Sequence, residues 1–107
     1  MHYPLTIVAL QATLFMIKSW KHKGLKNFYL FGDKSGIIVE HQHRLQVILQ
    51  LLNAAKKPEQ LNLPSLGFHP LKGKLQKFYA VTVRANWRII FQFENEDAVL
   101  VNYIDYH

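Results

Sequence analysis

The stretch from Phe78 to Ile104 leaves this chain little freedom in what it can fold into. Phe78 to Arg84 is rich in aromatic and β-branched residues, the side chains that suit a pleated, half-buried surface. Ala85-Asn86 makes a plausible two-residue turn, with Asn able to take positive φ. Trp87 to Phe93 then alternates: Trp87, Ile89, Phe91 and Phe93 share one face, while Arg88, Ile90 and Gln92 share the other. Glu94 to Asp97 turns into a last run, Ala98 to Ile104. Runs joined by turns this short pair antiparallel, and the large apolar face they create needs a cover.

The first half of the chain supplies that cover. Ile17-Lys18-Ser19-Trp20 alternates and predicts a short first strand. A helix follows over His22 to Phe31, with Leu25, Phe28 and Tyr29 on one side, stopped by Gly32-Asp33 and a loop at Lys34-Ser35-Gly36. A second helix spans His41 to Ala55, where Leu45, Ile48, Leu49 and Leu52 form one apolar stripe and Pro58 lies just past the end. Leu61 to Pro70 is a proline-punctuated, extended connection. The order β-α-α-β-β-β is an α+β domain: a mainly antiparallel sheet with two helices packed on one face.

At 107 residues this is one domain, expected over residues 16–107. Residues 1–15 form an apolar N-terminal extension, read as an extra strand or helix or as translation from an upstream start, with Met16 the functional beginning. Its uncharged run is shorter than the ~20 residues that span a bilayer, and it lacks the basic start of a signal peptide. The chain has no cysteine, which excludes a disulfide scaffold and thiolate chemistry and suits a cytoplasmic setting.

The charge of +6 is unevenly spread. Lys18, Lys21, Lys23 and Lys26 form an acid-free cluster, and no acid occurs from Gln60 to Phe93, where Lys72, Lys74, Lys77, Arg84 and Arg88 all fall. Such a bias favours a polyanionic partner, nucleic acid first and an acidic protein second.

Candidate chemistry lies in three places. Arg88 belongs to the strand face opposite the helices and points to an open, concave side, beside the end of the last strand. In His69-Pro70-Leu71-Lys72-Gly73 a titratable imidazole and a lysine, stiffened by proline and released by glycine, can converge on one anion. The final strand delivers Asp105, Tyr106 and His107, an acid, a phenol and an imidazole, on a rigid element. His22, His41 and His43 read as surface residues, and His41 and His43, two apart, do not share a helix face as metal ligands would. No Gly-rich phosphate loop, nucleophile elbow, paired-carboxylate site or zinc spacing is present. A set of His, Lys, Arg, Tyr and one Asp suits metal-free RNA cleavage by the ribose 2′-hydroxyl, with general acid–base help and cations on the phosphate.

His69-Pro70-Leu71-Lys72-Gly73, the stretch Val83 to Ile89 and the ending Asn102 to His107 together resemble the HigB toxins of the RelE superfamily. Met16 to Leu25 resembles their usual start and Leu61-Asn62-Leu63-Pro64 their approach to the histidine motif, so the likeness covers Met16 to His107. The resemblance implies a RelE-like fold and a type II toxin that cuts messenger RNA in the ribosomal A site. It also implies a HigA-like helix-turn-helix antitoxin, operator binding only through their complex, and no cofactor or metal. By position the family's active residues fall on His69, Lys72, Arg88, Asp105, Tyr106 and His107, with Asn86 supporting. The roles expected are His107 or Asp105 as general base, His69 as acid, Lys72 and Arg88 on the scissile phosphate, and Tyr106 against a base. Lys18, Lys21, Lys23 and Lys26 would grip ribosomal RNA. The rival expectations are a non-enzymatic nucleic-acid-binding module and an inactive co-repressor.

Overall fold

The computed structural model describes residues 17–107. The expectation of a dispensable extension at residues 1–15 therefore lies outside the described residues.

Helix α1 spans Lys23–Phe31, and its first turn is closed by the side chain of His22, whose Nδ1 accepts the Leu25 N–H at 2.9 Å. Gly32 ends it with φ 75°, a left-handed C-cap that glycine adopts without a Cβ clash. A single 3₁₀ turn, Val39–His41, leads into helix α2, Gln42–Ala54. The predicted stripe is real: Leu45, Ile48, Leu49 and Leu52 are all fully buried. Arg44, immediately before the first of them, turns its guanidinium toward the sheet.

The strands are β1, His69–Pro70; β2, Tyr79–Arg84; β3, Trp87–Glu94; and β4, Asp97–Asp105. They form one sheet in the order β1-β2-β3-β4, antiparallel throughout. Val81, Ile89 and Tyr103 stand in one cross-strand row, so the helices bury a continuous face that also includes Val83, Phe91 and Val101. Fully burying such side chains contributes about 1.5–3 kcal/mol each, and this layer is the principal source of stability.

Several expectations need correction. Ile17–Trp20 is extended but too short to count as a full strand. It touches the sheet through two parallel bridges, Ile17 to Ala98 and Trp20 to Val101, beside β4. The fourth strand comes instead from His69–Pro70, where proline sits at an edge and its missing N–H costs no ladder bond. In the β2–β3 turn it is Ala85, not Asn86, that takes positive φ, at 51°. A bulge interrupts β4: Ile90 faces Asn102 and Gln92 faces Val99, with Leu100 held at φ 55° and its N–H given to Ser19 Oγ at 2.8 Å.

His41 is not a surface residue. It is 5% exposed, with Nδ1 2.7 Å from the Tyr103 hydroxyl and its ring edge-on to Trp87 and Tyr103. Burial, and next the positive charge of Arg84, hold its pKa below the ordinary histidine value, against a smaller opposing pull from Glu40. His22 is half-buried as well, its ring against Tyr103, and burial lowers its pKa despite a backbone hydrogen bond that raises it. His43 alone of the three is exposed.

Candidate active site

The second face of the sheet is less open than its alternation suggests. The segment between β1 and β2 folds over it, tied by the Leu71 N–H to the Phe78 carbonyl at 2.9 Å. Leu71, Phe78, Ala80 and Ile90 form a separate apolar cluster there, with Leu75 and Ile104 packed against it. This cluster is the floor of the candidate site, and the chemistry-bearing residues stand around it.

On one side lie the residues of the β2–β3 turn and the end of β4. Arg88 pairs with Ile104 and Trp87 with Asp105, while the Tyr106 N–H donates to the Asn86 carbonyl at 2.8 Å. Arg88, Asn86, Asp105, Tyr106 and His107 are thereby gathered at one corner. The Arg88 Nη1 donates to the Ala85 carbonyl at 2.6 Å and to the Trp87 carbonyl at 3.1 Å, bracing the turn whose first residue holds a left-handed φ. Arg88 Nε is enclosed and has no partner, the one such side-chain atom found among the described residues. An enclosed, unpaired donor is costly, and Nη2, which donates to no protein group among the described residues, is the end of this guanidinium left to meet an anion.

Asp105 Oδ1 lies 3.2 Å from His107 Nδ1, with the two side chains 47% and 69% exposed. At that exposure the pair adds little to stability. Its consequence is orientational: a neutral imidazole that donates Nδ1–H to the carboxylate keeps its Nε2 lone pair free.

On the other side lie His69 and Lys72, both exposed. His69 faces Ala80 in the register, Ala80 faces Ile90, and Arg88 is two residues further along the same face. With strands about 4.8 Å apart and residues about 3.3 Å apart, the Cα atoms of His69 and Arg88 are separated by about 12 Å. Among the described residues no hydrogen bond or ion pair joins the two groups, so a substrate would have to bridge them. His69 Nδ1 lies 2.9 Å from the Gly67 carbonyl, which can only accept, so Nδ1 carries the proton and Nε2 is presented outward. Both exposed imidazoles of the site are therefore tied through Nδ1.

Lys18, Lys21, Lys23 and Lys26 are all exposed, on the segment beside β4 and on α1, and none joins the floor of the site. Lys74 and Lys77 are also exposed, extending a basic rim from Lys72 along the covering segment. A cleft of about 370 Å³ opens between α1 and α2, lined in part by Tyr29, Lys34, Gln42 and Gln46, and none of the expected site residues borders it. Among the described residues no helix is long and apolar enough to cross a membrane.

Two helices on one face of an antiparallel sheet, with cations and imidazoles around a small floor on the other, make the architecture of a RelE-like toxin. Residues 18–107 match the family model described as the RelE-like toxin of type II toxin-antitoxin system HigB, and the chain belongs to that family. It is 47% identical over 92 residues to the Endoribonuclease HigB of Proteus vulgaris, a match covering 86% of this chain and 100% of that protein. Membership of a type II toxin–antitoxin family gives the chain an antitoxin as its partner.

Proposed function

We propose that this toxin, an endoribonuclease, cuts messenger RNA in the ribosomal A site and so halts translation in the cytoplasm until a HigA-like helix-turn-helix antitoxin neutralises it. The observation that carries the mechanism is the pair of exposed imidazoles, His69 and His107, each with Nδ1 fixed by an acceptor and Nε2 outward. His107, oriented by Asp105, takes the proton from the ribose 2′-hydroxyl. The 2′-oxygen attacks phosphorus, Lys72 and Arg88 hold the phosphoryl oxygens, and His69, entering the step as the imidazolium with Nδ1–H held by the Gly67 carbonyl, gives its Nε2 proton to the departing 5′-oxygen. The products are a 2′,3′-cyclic phosphate and a 5′-hydroxyl end, with the proton balance closed by the two histidines. General acid–base transfer contributes typically 10²–10⁴-fold per group. Tyr106, 37% exposed at the rim, supplies a face for a base, and Asn86 anchors it through the backbone.

The ribosome enters because the two halves of the site lie about 12 Å apart at the Cα level and, among the described residues, no hydrogen bond or ion pair joins them. A template that holds the RNA in register supplies the positioning that the protein alone leaves open. Lys18, Lys21, Lys23 and Lys26 supply the grip on ribosomal RNA, and operator DNA is reached only through the antitoxin complex. Residues 1–15 serve neither role, and residues 16–107 constitute the working domain.

The experiment is to induce the chain with and without its antitoxin and sequence RNA ends, alongside purified protein on naked and on translating mRNA. New 5′-hydroxyl ends inside translated reading frames, absent on naked RNA, are expected. Binding without new ends would establish a nucleic-acid-binding module instead.

A further inference from the structure

We infer that Arg44, on the helix layer behind the sheet, is a positioning residue for His69, acting through the backbone of residues 65–69. This rests on the reading of His69 as the general acid. The Arg44 Nη2 donates to the Ser65 carbonyl at 2.6 Å and to the Thr82 carbonyl at 3.1 Å, while its Nε lies 3.3 Å from that same Thr82 oxygen. One guanidinium thus fastens the loop to β2.

The loop needs fastening. Ser65 and Gly67 both hold left-handed backbone, at φ 70° and 60°, within three residues of each other. For serine this conformation is strained and persists only where the surroundings over-determine it. Further ties follow in order along the chain. The Thr82 N–H donates to the Leu66 carbonyl at 2.7 Å. Gly67 packs so closely that a Cβ on it would stand 2.9 Å from Thr82 Oγ1. Phe68 stacks on Tyr79 with centroids 5.4 Å apart and planes 8° from parallel.

The last tie is the one that matters chemically. The Gly67 carbonyl, placed by these contacts, accepts from His69 Nδ1 at 2.9 Å and so selects which nitrogen faces the substrate. If the Ser65–Gly67 backbone turns, the imidazole loses that acceptor, populates both tautomers and swings. Arginine is required because its planar fork reaches two carbonyls at once, whereas a lysine ammonium is a point charge on a flexible stem.

The test uses the purified full-length chain carrying Arg44→Gln, Arg44→Lys or Gly67→Ala. Imidazole nitrogen NMR reads the His69 tautomer, and single-turnover cleavage on programmed ribosomes reads the rate at saturation. Wild type is expected to show Nδ1–H at His69. Each variant is expected to show mixed tautomers and a saturated rate lower by roughly 10- to 100-fold, the cost of misplacing a catalytic group by about 1 Å, with ribosome affinity unchanged. If Arg44→Gln does not fold, Arg44→Lys keeps the charge and stem and is judged on the same two readouts. An unchanged tautomer in folded variants, or a shifted tautomer with a wild-type rate, overturns the inference even where melting temperature falls. A wild-type chain that never cuts ribosome-bound mRNA overturns the proposed function instead, and the tautomer measurement still decides what Arg44 positions.

Discussion

Tyr103→Phe removes a single oxygen, but from a place where the fold has no substitute. The hydroxyl stands 2.7 Å from Nδ1 of His41, itself 5% exposed, and it also accepts the Ile38 N–H at 3.4 Å. Without it a buried imidazole nitrogen has no partner, a penalty of about 1–3 kcal/mol; the longer Ile38 bond adds little. At about 2 kcal/mol, and with 4–8 °C per kcal/mol for a domain of this size, the melting temperature should fall by about 8–16 °C. The double variant His41→Leu/Tyr103→Phe replaces both polar partners with apolar groups. It should lose less than the sum of the single variants, with a coupling of about 1 kcal/mol or more. Urea unfolding gives the midpoint, and the tryptophan fluorescence that follows it includes Trp87, whose ring lies 4.7 Å from that of Tyr103. The same pair dictates a pH dependence. Because the folded pKa of His41 and of His22 is lowered, their stabilising contribution is present above the unfolded value near 6.5. It is lost as pH falls below that value, because the unfolded chain then takes up protons that the folded chain refuses. Stability should therefore drop below pH about 6.5, and less steeply in His41→Leu. A Tyr103→Phe chain with the wild-type urea midpoint, or a His41→Leu chain with the wild-type pH slope, would refute this account.

Three further outcomes are expected. Arg88→Ala should lower saturated cleavage by roughly 100-fold or more, and Arg88→Lys should recover only part, since an ammonium cannot both brace the Ala85 carbonyl and fork a phosphate; a wild-type rate in Arg88→Ala would remove it from the site. Changing Lys21, Lys23 and Lys26 together to Ala should weaken ribosome association and flatten its log–log salt slope by roughly 2–3 units, with the saturated rate unchanged. An equal loss at saturation would place these lysines at the scissile phosphate. A chain beginning at Met16 should melt and inhibit growth as the full one does; a marked fall in either would make residues 1–15 an integral element.

The helix-covered half of the fold was legible because its signals are periodic. The stripe from Leu45 to Leu52 and the alternation from Trp87 to Phe93 each specify a face without reference to any distant residue. Gly32 and the acidic β3–β4 turn marked their ends just as locally. What escaped was long-range and aperiodic. Nothing near His41 announces that it will meet Tyr103, 62 positions later, so its polarity alone suggested a surface. The cover over Ile90 comes from Leu71 and Leu75 in an irregular segment, where no hydrophobic period exists to be read. Ala85 takes the left-handed turn position because the Arg88 brace and the Asn86–Tyr106 bond fix the neighbouring carbonyls, overriding the preference of asparagine. Motif residues marked the candidate site, whereas Arg44 carries no motif: its partners are main-chain oxygens, which the sequence does not distinguish.

The Leu100 bulge carries a kinetic consequence. Its amide is satisfied by Ser19, 81 residues away, and the Val101 N–H returns to the Ser19 carbonyl at 3.1 Å. Pairings this distant must close almost the whole chain into a loop before they return any contact energy, and they form late in folding. The corner around Asp105 is built from pairings much nearer in sequence, Trp87 with Asp105 and the Tyr106 N–H with the Asn86 carbonyl, so the β3–β4 hairpin forms it ahead of the Ser19 contacts. What closes last is the edge beside β4, where the segment from Ile17 to Trp20 joins the sheet, so that edge is the part of the fold that waits on the whole chain.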